Sequence, residues 1–313
     1  MKYVVRVLCK GMIERLTSTS EITWTNVTEP SPEELVEVVR QADLSPYDAE
    51  FVAQPRQRPE VVAREKYLII LVHVPTFDRN SRVTTGAPMY LIVTKQEVVS
   101  IQHQQAVVIS KAWQEYDESE EKREEYFGES GLSLALHLLQ VSYRSSFQKL
   151  ERLSKHVAIA EDAVFQGNER QMVEEVSVLM RDVMDFRKII LPQLNVFATP
   201  PDHDLVTAPL RDQWRRLHNQ AQTLWDILEG LVESTIELRN TNDSLIAHKE
   251  SELLRLLTYY STITIPVFIL LSPINPLDPN TSTLNVSIFW IVLAALLITL
   301  LAIFYRFRGR KVI

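Results

Sequence analysis

Near its C-terminal end the chain carries two long apolar stretches, and these constrain its fold more than any other feature. From Leu253 to Leu271 the residues are apolar or hydroxylic except for Arg255, and from Val286 to Tyr305 no charged residue occurs. Each stretch has the length of one bilayer crossing, roughly 20 residues as a helix. The second, LNVSIFWIVLAALLITLLAIFY, is apolar on every face, a pattern that suits lipid better than the one-sided burial of a helix in a water-soluble protein. Basic residues flank the pair on the outside, with Lys249 and Arg255 before it and Arg306, Arg308, Arg310 and Lys311 after it, while the joining segment SPINPLDPNTSTL has none. The positive-inside rule therefore places both termini in the cytoplasm and the short loop outside. Pro273, Pro276 and Pro279 keep that loop from extending either helix, since proline lacks an amide donor and restrains the residue before it.

The two spans differ in chemistry. The first carries Thr258, Ser261, Thr262, Thr264 and Ser272, whereas the second is built from Leu, Ile, Ala, Val, Phe and Trp. Thr258, Thr262, Ile265, Ile269 and Ser272 recur at steps of three and four and so share one helix face. Two readings of that face stay open: it lines a wet path, or its hydroxyls bond back to helix carbonyls and pack helix on helix. Pro266 within the span bends the helix or frees a carbonyl.

Upstream of the first span, Leu210, Trp214, Leu217, Ala221, Leu224, Leu228, Leu231, Thr235, Leu238, Asn242 and Leu245 alternate at steps of four and three. This is a heptad seam, and no proline interrupts it before Pro266. The spacing predicts a helix of ~60 residues, on the order of 90 Å long at about 1.5 Å per residue, running into the first span. Such a rod buries its seam against other helices of its own chain or against copies of itself, and one membrane hairpin cannot enclose an aqueous path alone; both point to a homo-oligomer. Asn242 on the seam either fixes register or faces a central axis as a ligand for a hydrated cation.

The remainder reads as mixed α and β. YVVRVL, EITWTNV, YLIILVHVP, MYLIVT and EVVSIQH are β-rich runs, and SPEELVEVVRQADL opens with a Ser-Pro-Glu-Glu helix start. Two helices follow, 132–165 and 169–191, separated by QGN and with the second ending at Pro192. The charged run YDESEEKREEY, 116–126, reads as a solvated helix face or linker, with a collecting surface for hard cations as the alternative.

A formal net charge of −7 over 313 residues argues against a nucleic-acid partner, which demands a basic face. Cys9 is the single cysteine, which rules out an internal disulfide and a Cys-built zinc site; none of the seven histidines forms an i, i+3 or i, i+4 pair. The N-terminal residues MKYVVRVLCKGMIERL have too short an apolar stretch for a signal peptide and alternate like a strand. With no phosphate-binding glycine loop and no catalytic constellation, the chain does not read as an enzyme, and no cofactor is expected.

The order of parts, together with RPEVVAREKYLIILVHVP, EDAVFQ, VLMRDVMDFRKIILPQLNVF, LLTYYSTITIPVFIL and the basic YRFRGRK, resembles the CorA family of magnesium and divalent-cation transporters along essentially the whole chain. The resemblance implies an α+β cytosolic domain with a long helical stalk and two transmembrane helices, assembled as a funnel-shaped homopentamer in the cell (inner) membrane. The parts are then 1–125, the α/β domain; 126–206, an antiparallel helix pair; 207–252, the stalk; 253–272, the pore-lining first span; 273–285, the outer loop; 286–306, the second span; and 307–313, the tail. It implies transport of magnesium, with cobalt, nickel or zinc as further candidates, and contact with membrane lipid. Leu257, Ser261, Ile265 and Ser272 match pore-facing positions, Leu257 and Ile265 as apolar constrictions that gate by dewetting. With Thr258, Thr262 and Ile269 they form the candidate pore lining. The family's outer-mouth Gly-Met-Asn is absent: Ser272-Pro273-Ile274-Asn275-Pro276 stands there, leaving Asn275 and Asp278 as candidate selectivity residues. That departure implies an alternative as well, a non-conducting or altered-selectivity scaffold or sensor on the same architecture. The resemblance carries no regulatory metal site over to this chain.

Overall fold

The structure is a computed structural model that describes residues 12–55, 58–78 and 82–271, together with 287, 290–295 and 298. The chain divides into two compact units, Met1–Asn242 and Asp243–Ile313.

The first unit is built on a six-stranded sheet in the order β1-β2-β6-β5-β4-β3. Its strands are β1 (Met12–Thr17), β2 (Thr23–Thr28), β3 (Glu60–Ala63), β4 (Leu68–Asp78), β5 (Val83–Val93) and β6 (Glu97–Gln102). Only the β2–β6 pair is parallel; the other pairs are antiparallel. Both faces are covered, which is why Leu68–Val72 and Tyr90–Val93 are apolar without alternation. One face packs Ile69, Leu71, Tyr90, Ile92 and Ile101 with Val38 of α1 (Pro32–Gln41) and Val52 of α2 (Pro46–Ala53). The other is covered by α5 (Gly131–Phe165), which contacts β5 and β6, and by α6 (Glu169–Phe197), which contacts β3, β4 and β5. Between β6 and α5 in sequence lie α3 (Val107–Glu118) and α4 (Glu120–Phe127).

Local signals explain the helix starts. Ser31 caps α1 in a capping box with Glu34, followed by Pro32 in the first turn. Ser45 caps α2 by accepting from the Asp48 N–H, with Pro46 in the first turn; this short helix was not expected, nor were β1, β3 and α3 as separate elements. Gly131 opens α5 because its N–H reaches the Lys95 carbonyl and a Cβ there would sit 2.3 Å from the Thr94 oxygen.

In α2 the Asp48 carboxylate is almost wholly buried and takes both Arg64 guanidinium contacts, at 2.8 and 2.6 Å, plus the Tyr67 hydroxyl and Ser45. The Arg64 bonds chiefly hold its acidity well below the usual carboxylate range, aided by Tyr67 and Ser45 and opposed by burial. A depressed folded-state value means the stabilisation is present in full above the unfolded carboxylate range and fades as pH falls through the folded one. Asp48→Asn is accordingly expected to lower the melting temperature at neutral pH. The gap from wild type should narrow on acidification below about pH 4, where the unfolded carboxyl protonates.

Two expectations are corrected. α6 does not stop at Pro192 but runs through it to Phe197. Proline removes one helix bond, yet Phe186, Ile190, Gln193 and Phe197 keep the buried face in register on both sides of it, and that burial holds the turn. The charged run 116–126 is solvated, but not throughout: Tyr116 and Arg123 are buried, with Arg123 donating to the Tyr116 carbonyl at 2.9 Å.

The seam from Leu210 to Asn242 is buried along its length on α7 (Ala208–Leu271), a 64-residue helix. Within the 1–242 unit it packs against α6: Trp214 donates to the Phe197 carbonyl at 3.1 Å, and Arg187 pairs with Glu229 and lies over Trp225. This part of the seam is therefore satisfied within one chain and does not itself require copies. Among the described residues no helix is long and apolar enough to cross a membrane. The second stretch, 286–306, is described only at 287, 290–295 and 298, all helical. The expected strand YVVRVL, Cys9, the outer loop and the basic tail lie outside the described residues.

Candidate functional site: the distal face of α7

Burial on α7 ends at Asn242. From Asp243 to Ile265 every residue of the helix is half-buried or exposed in the single chain, including Leu253, Leu254, Leu257, Tyr259, Tyr260 and Ile265. Leu257 is 62% exposed and Ile265 57%. From Leu253 to Ile265 these residues are apolar or hydroxylic except for Arg255, and an exposed run of that kind is stable only when lipid or other protein covers it.

The helix brings Leu257, Thr258, Ser261, Thr262, Ile265 and Ile269 onto one broad face, because successive members are one, three or four residues apart. Ser272, Asn275 and Asp278 lie outside the described residues. The hydroxyls already have local work: Thr258 donates to the Leu254 carbonyl at 2.8 Å and Ser261 to the Thr258 carbonyl at 3.1 Å. Each hydroxyl oxygen keeps lone pairs for water, so back-bonding is compatible with a wet face and does not by itself decide between the two readings. Pro266 lies inside α7 and has no N–H, so the Thr262 carbonyl, four residues back, has lost its helix donor. That oxygen belongs to the Thr258–Thr262–Ile265 face and is open to a donor from outside the helix.

Asn242, buried to 1% exposure, ends the covered part of the seam, and its Oδ1 has no hydrogen-bond partner among the described residues. Its burial favours register over direct contact with an open axis. A buried unpartnered amide oxygen costs about 1–3 kcal/mol. Asn242→Leu is therefore expected to raise the melting temperature of the purified protein; a fall would mean that a group from outside the chain satisfies Oδ1.

Among the described residues no group of three or more His, Cys, Asp or Glu side chains is placed to hold a metal ion. What α7 offers a cation is neutral oxygen along an apolar helix. The sequence missed a second cluster: Asp182 of α6 accepts from the Thr84 hydroxyl and from Lys149 at 3.1 Å, joining α5, α6 and β5 across 98 residues. No short-range pattern announces such a contact.

Comparison with known proteins adds the following. A family model described as "CorA-like Mg2+ transporter protein" matches residues 19–309. The Cobalt/magnesium transport protein CorA of Thermotoga maritima is 24% identical over 259 residues, 78% of this chain and 70% of that protein. The protein of the same name from Methanocaldococcus jannaschii is 21% identical over 300 residues, 92% of this chain and 90% of its own. The complete structure of the CorA magnesium transporter from Methanocaldococcus jannaschii superposes with a TM-score of 0.74 at 20% identity, covering 92% of this chain and 90% of that one. The full-length CmaX structure gives 0.71 at 12% identity, covering 97% and 91%. At these identities the structural likeness establishes a shared fold.

Proposed function

The chain belongs to the CorA-like Mg2+ transporter family, and from that membership we propose that it passes divalent cations across a membrane through a pore surrounded by copies of α7. The observation that carries this reading is the match over residues 19–309, nearly the whole chain. The family is one of transporters, so the chain is not an enzyme, and the cation is its cargo rather than a cofactor. Magnesium is the favoured ion, with cobalt, nickel and zinc following.

In this reading α7 crosses the bilayer from about residue 253, the stretch 286–306 returns, and both termini face the cytoplasm of a cell whose inner membrane holds the protein. Five copies form a funnel, each contributing Leu257, Thr258, Ser261, Thr262, Ile265, Ile269 and Ser272 to the axis. The apolar exposure of α7 beyond Asn242 supports coverage by copies and lipid. The hydroxyls and the Thr262 carbonyl bond the water shell of the ion, which suits magnesium because it sheds water reluctantly. Rings of Leu257 and Ile265 close the path to hydrated ions when the pore narrows. Asn275 and Asp278 sit at the outer mouth, where a ring of carboxylates raises the local cation concentration.

Proteoliposomes loaded with a magnesium-sensitive dye test the reading. Uptake that grows with an inward gradient and an inside-negative potential is expected. The absence of Gly-Met-Asn favours a second reading, a scaffold or sensor that no longer conducts or that has changed its ion. Asn275→Ala combined with Asp278→Ala separates the two: a filter at the mouth predicts altered uptake, a scaffold predicts no uptake before or after the change.

A further inference from the structure

Within the 1–242 unit a cavity of about 850 Å3 opens between β4, α3, α5 and α6, a size typical of small-molecule sites. Five cationic side chains line it, Arg82, Lys111, Arg144, Lys149 and Arg152, against three carboxylates, Glu115, Glu175 and Asp182. Each carboxylate is already engaged: Glu115 with Lys122, Glu175 with Arg82 at 2.6 Å, and Asp182 with Lys149 at 3.1 Å. No ion pair among the described residues engages Lys111, Arg144 or Arg152. A chain of net charge −7 thus concentrates uncompensated positive charge on the wall of one cavity.

The sequence builds that wall. Arg144, Gln148, Arg152 and His156 succeed one another at intervals of four on α5 and all face the cavity, without a carboxylate among them. Lys149, beside them, loses proton affinity chiefly through burial, and the Arg152 charge adds to this. Burial and the nearby Arg144 lower His137 to about 4, so that ring, also on the cavity wall, stays neutral and adds no charge. Phe77 on β4, half exposed, presents an aromatic ring with the Lys149 ammonium 4.8 Å from its centroid.

We propose that this cavity is an anion site that takes a phosphate-bearing small molecule of nucleotide size. Arginine guanidinium groups bind phosphate oxygens in pairs of parallel hydrogen bonds, and Arg144 and Arg152 on α5 line the same cavity as Lys111 on α3. An anion arriving there neutralises charge that the chain leaves unmatched, and because Lys111, Arg144 and Arg152 are exposed the attraction weakens as salt is added. Phe77 gives a flat apolar surface for a base. The site is independent of the ion path and requires no conduction.

Calorimetric titration of the full-length protein in detergent micelles, at low salt and without divalent ions, tests it with ATP, pyrophosphate and adenosine. Saturable ATP and pyrophosphate binding is expected, falling with added salt, with none for adenosine. Arg144→Gln with Arg152→Gln, both exposed enough to leave the core intact, is expected to weaken ATP binding about tenfold or more, a change of about 1.4 kcal/mol. Lys111→Gln, on a different helix, should weaken it as well. ATP binding tighter than pyrophosphate, with the difference removed by Phe77→Ala, would assign the base to that ring. Failure of both anions to bind saturably, or binding unchanged in the arginine and lysine variants, would overturn the proposal.

Discussion

Replacing Leu257 and Ile265 together by serine is expected to raise divalent-cation flux through reconstituted protein by about tenfold or more, since lowering a crossing barrier by only about 1.4 kcal/mol has that effect. Both side chains lie on the same α7 face as Thr258 and Thr262 and are more than half exposed in the single chain, so neither supports the fold of its own subunit. In a pore, rings of leucine and isoleucine offer a hydrated ion nothing to replace water with, and the path dries where they meet. Serine restores hydrogen bonding at both levels. The rise should appear as dye-reported uptake with little change in protein stability. Flux equal to that of wild type, with the variant inserted to the same level, would place these residues against lipid instead.

A large loss of stability is expected from Trp214→Ala. The ring is fully buried, meets Phe197 edge-on with centroids 5.6 Å apart, and its indole N–H is held by the Phe197 carbonyl. Removal of a buried aromatic of this size costs about 3–5 kcal/mol through lost burial and the cavity left behind. It also leaves a carbonyl at the end of α6 without its donor. Thermal melting of the full chain, followed by circular dichroism, should shift downward by roughly 10 °C or more. Leu257→Ala, on the exposed part of the same helix, should shift it far less. A small shift for Trp214→Ala would mean that the seam is held by something other than the packing of α6 on α7.

These two residues also mark what the sequence makes legible. The seam from Leu210 to Asn242 is a long-range regularity, repeated often enough to identify both the helix and its buried side, and the burial follows it step for step. The central strands were legible for a similar reason, since β4 and β5 are apolar on both faces. Short elements were not: β3 has four residues and α2 eight, too few for periodicity to rise above chance. At Pro192 a local rule gave the wrong helix end, because tertiary burial at Phe197 outweighed one missing hydrogen bond. The seam up to Asn242 is buried within the single chain, with α6 against it at Trp214, Trp225 and Glu229, so copies are not needed to cover that part. For the candidate pore face, the sequence supplies the stripe of hydroxyls and apolar side chains, while the bonds of its hydroxyls to the Leu254 and Thr258 carbonyls depend on the helix geometry. The basic cavity was hidden because Lys111, Arg144 and Arg152 look like ordinary solvated helix residues until three helices and a strand are brought together.

The most direct test of ion passage along α7 uses the chain's single cysteine. In a Cys9→Ser background, cysteines placed one at a time from position 257 to 271 are exposed to a charged, membrane-impermeant thiol reagent in proteoliposomes while cation uptake is followed. Rapid modification with loss of uptake at 258, 262, 265 and 269, and slow modification at 259, 260, 263 and 267, is the predicted result. Uniform protection, or reactivity greatest on the opposite face, would contradict the assignment of this helix to the ion path.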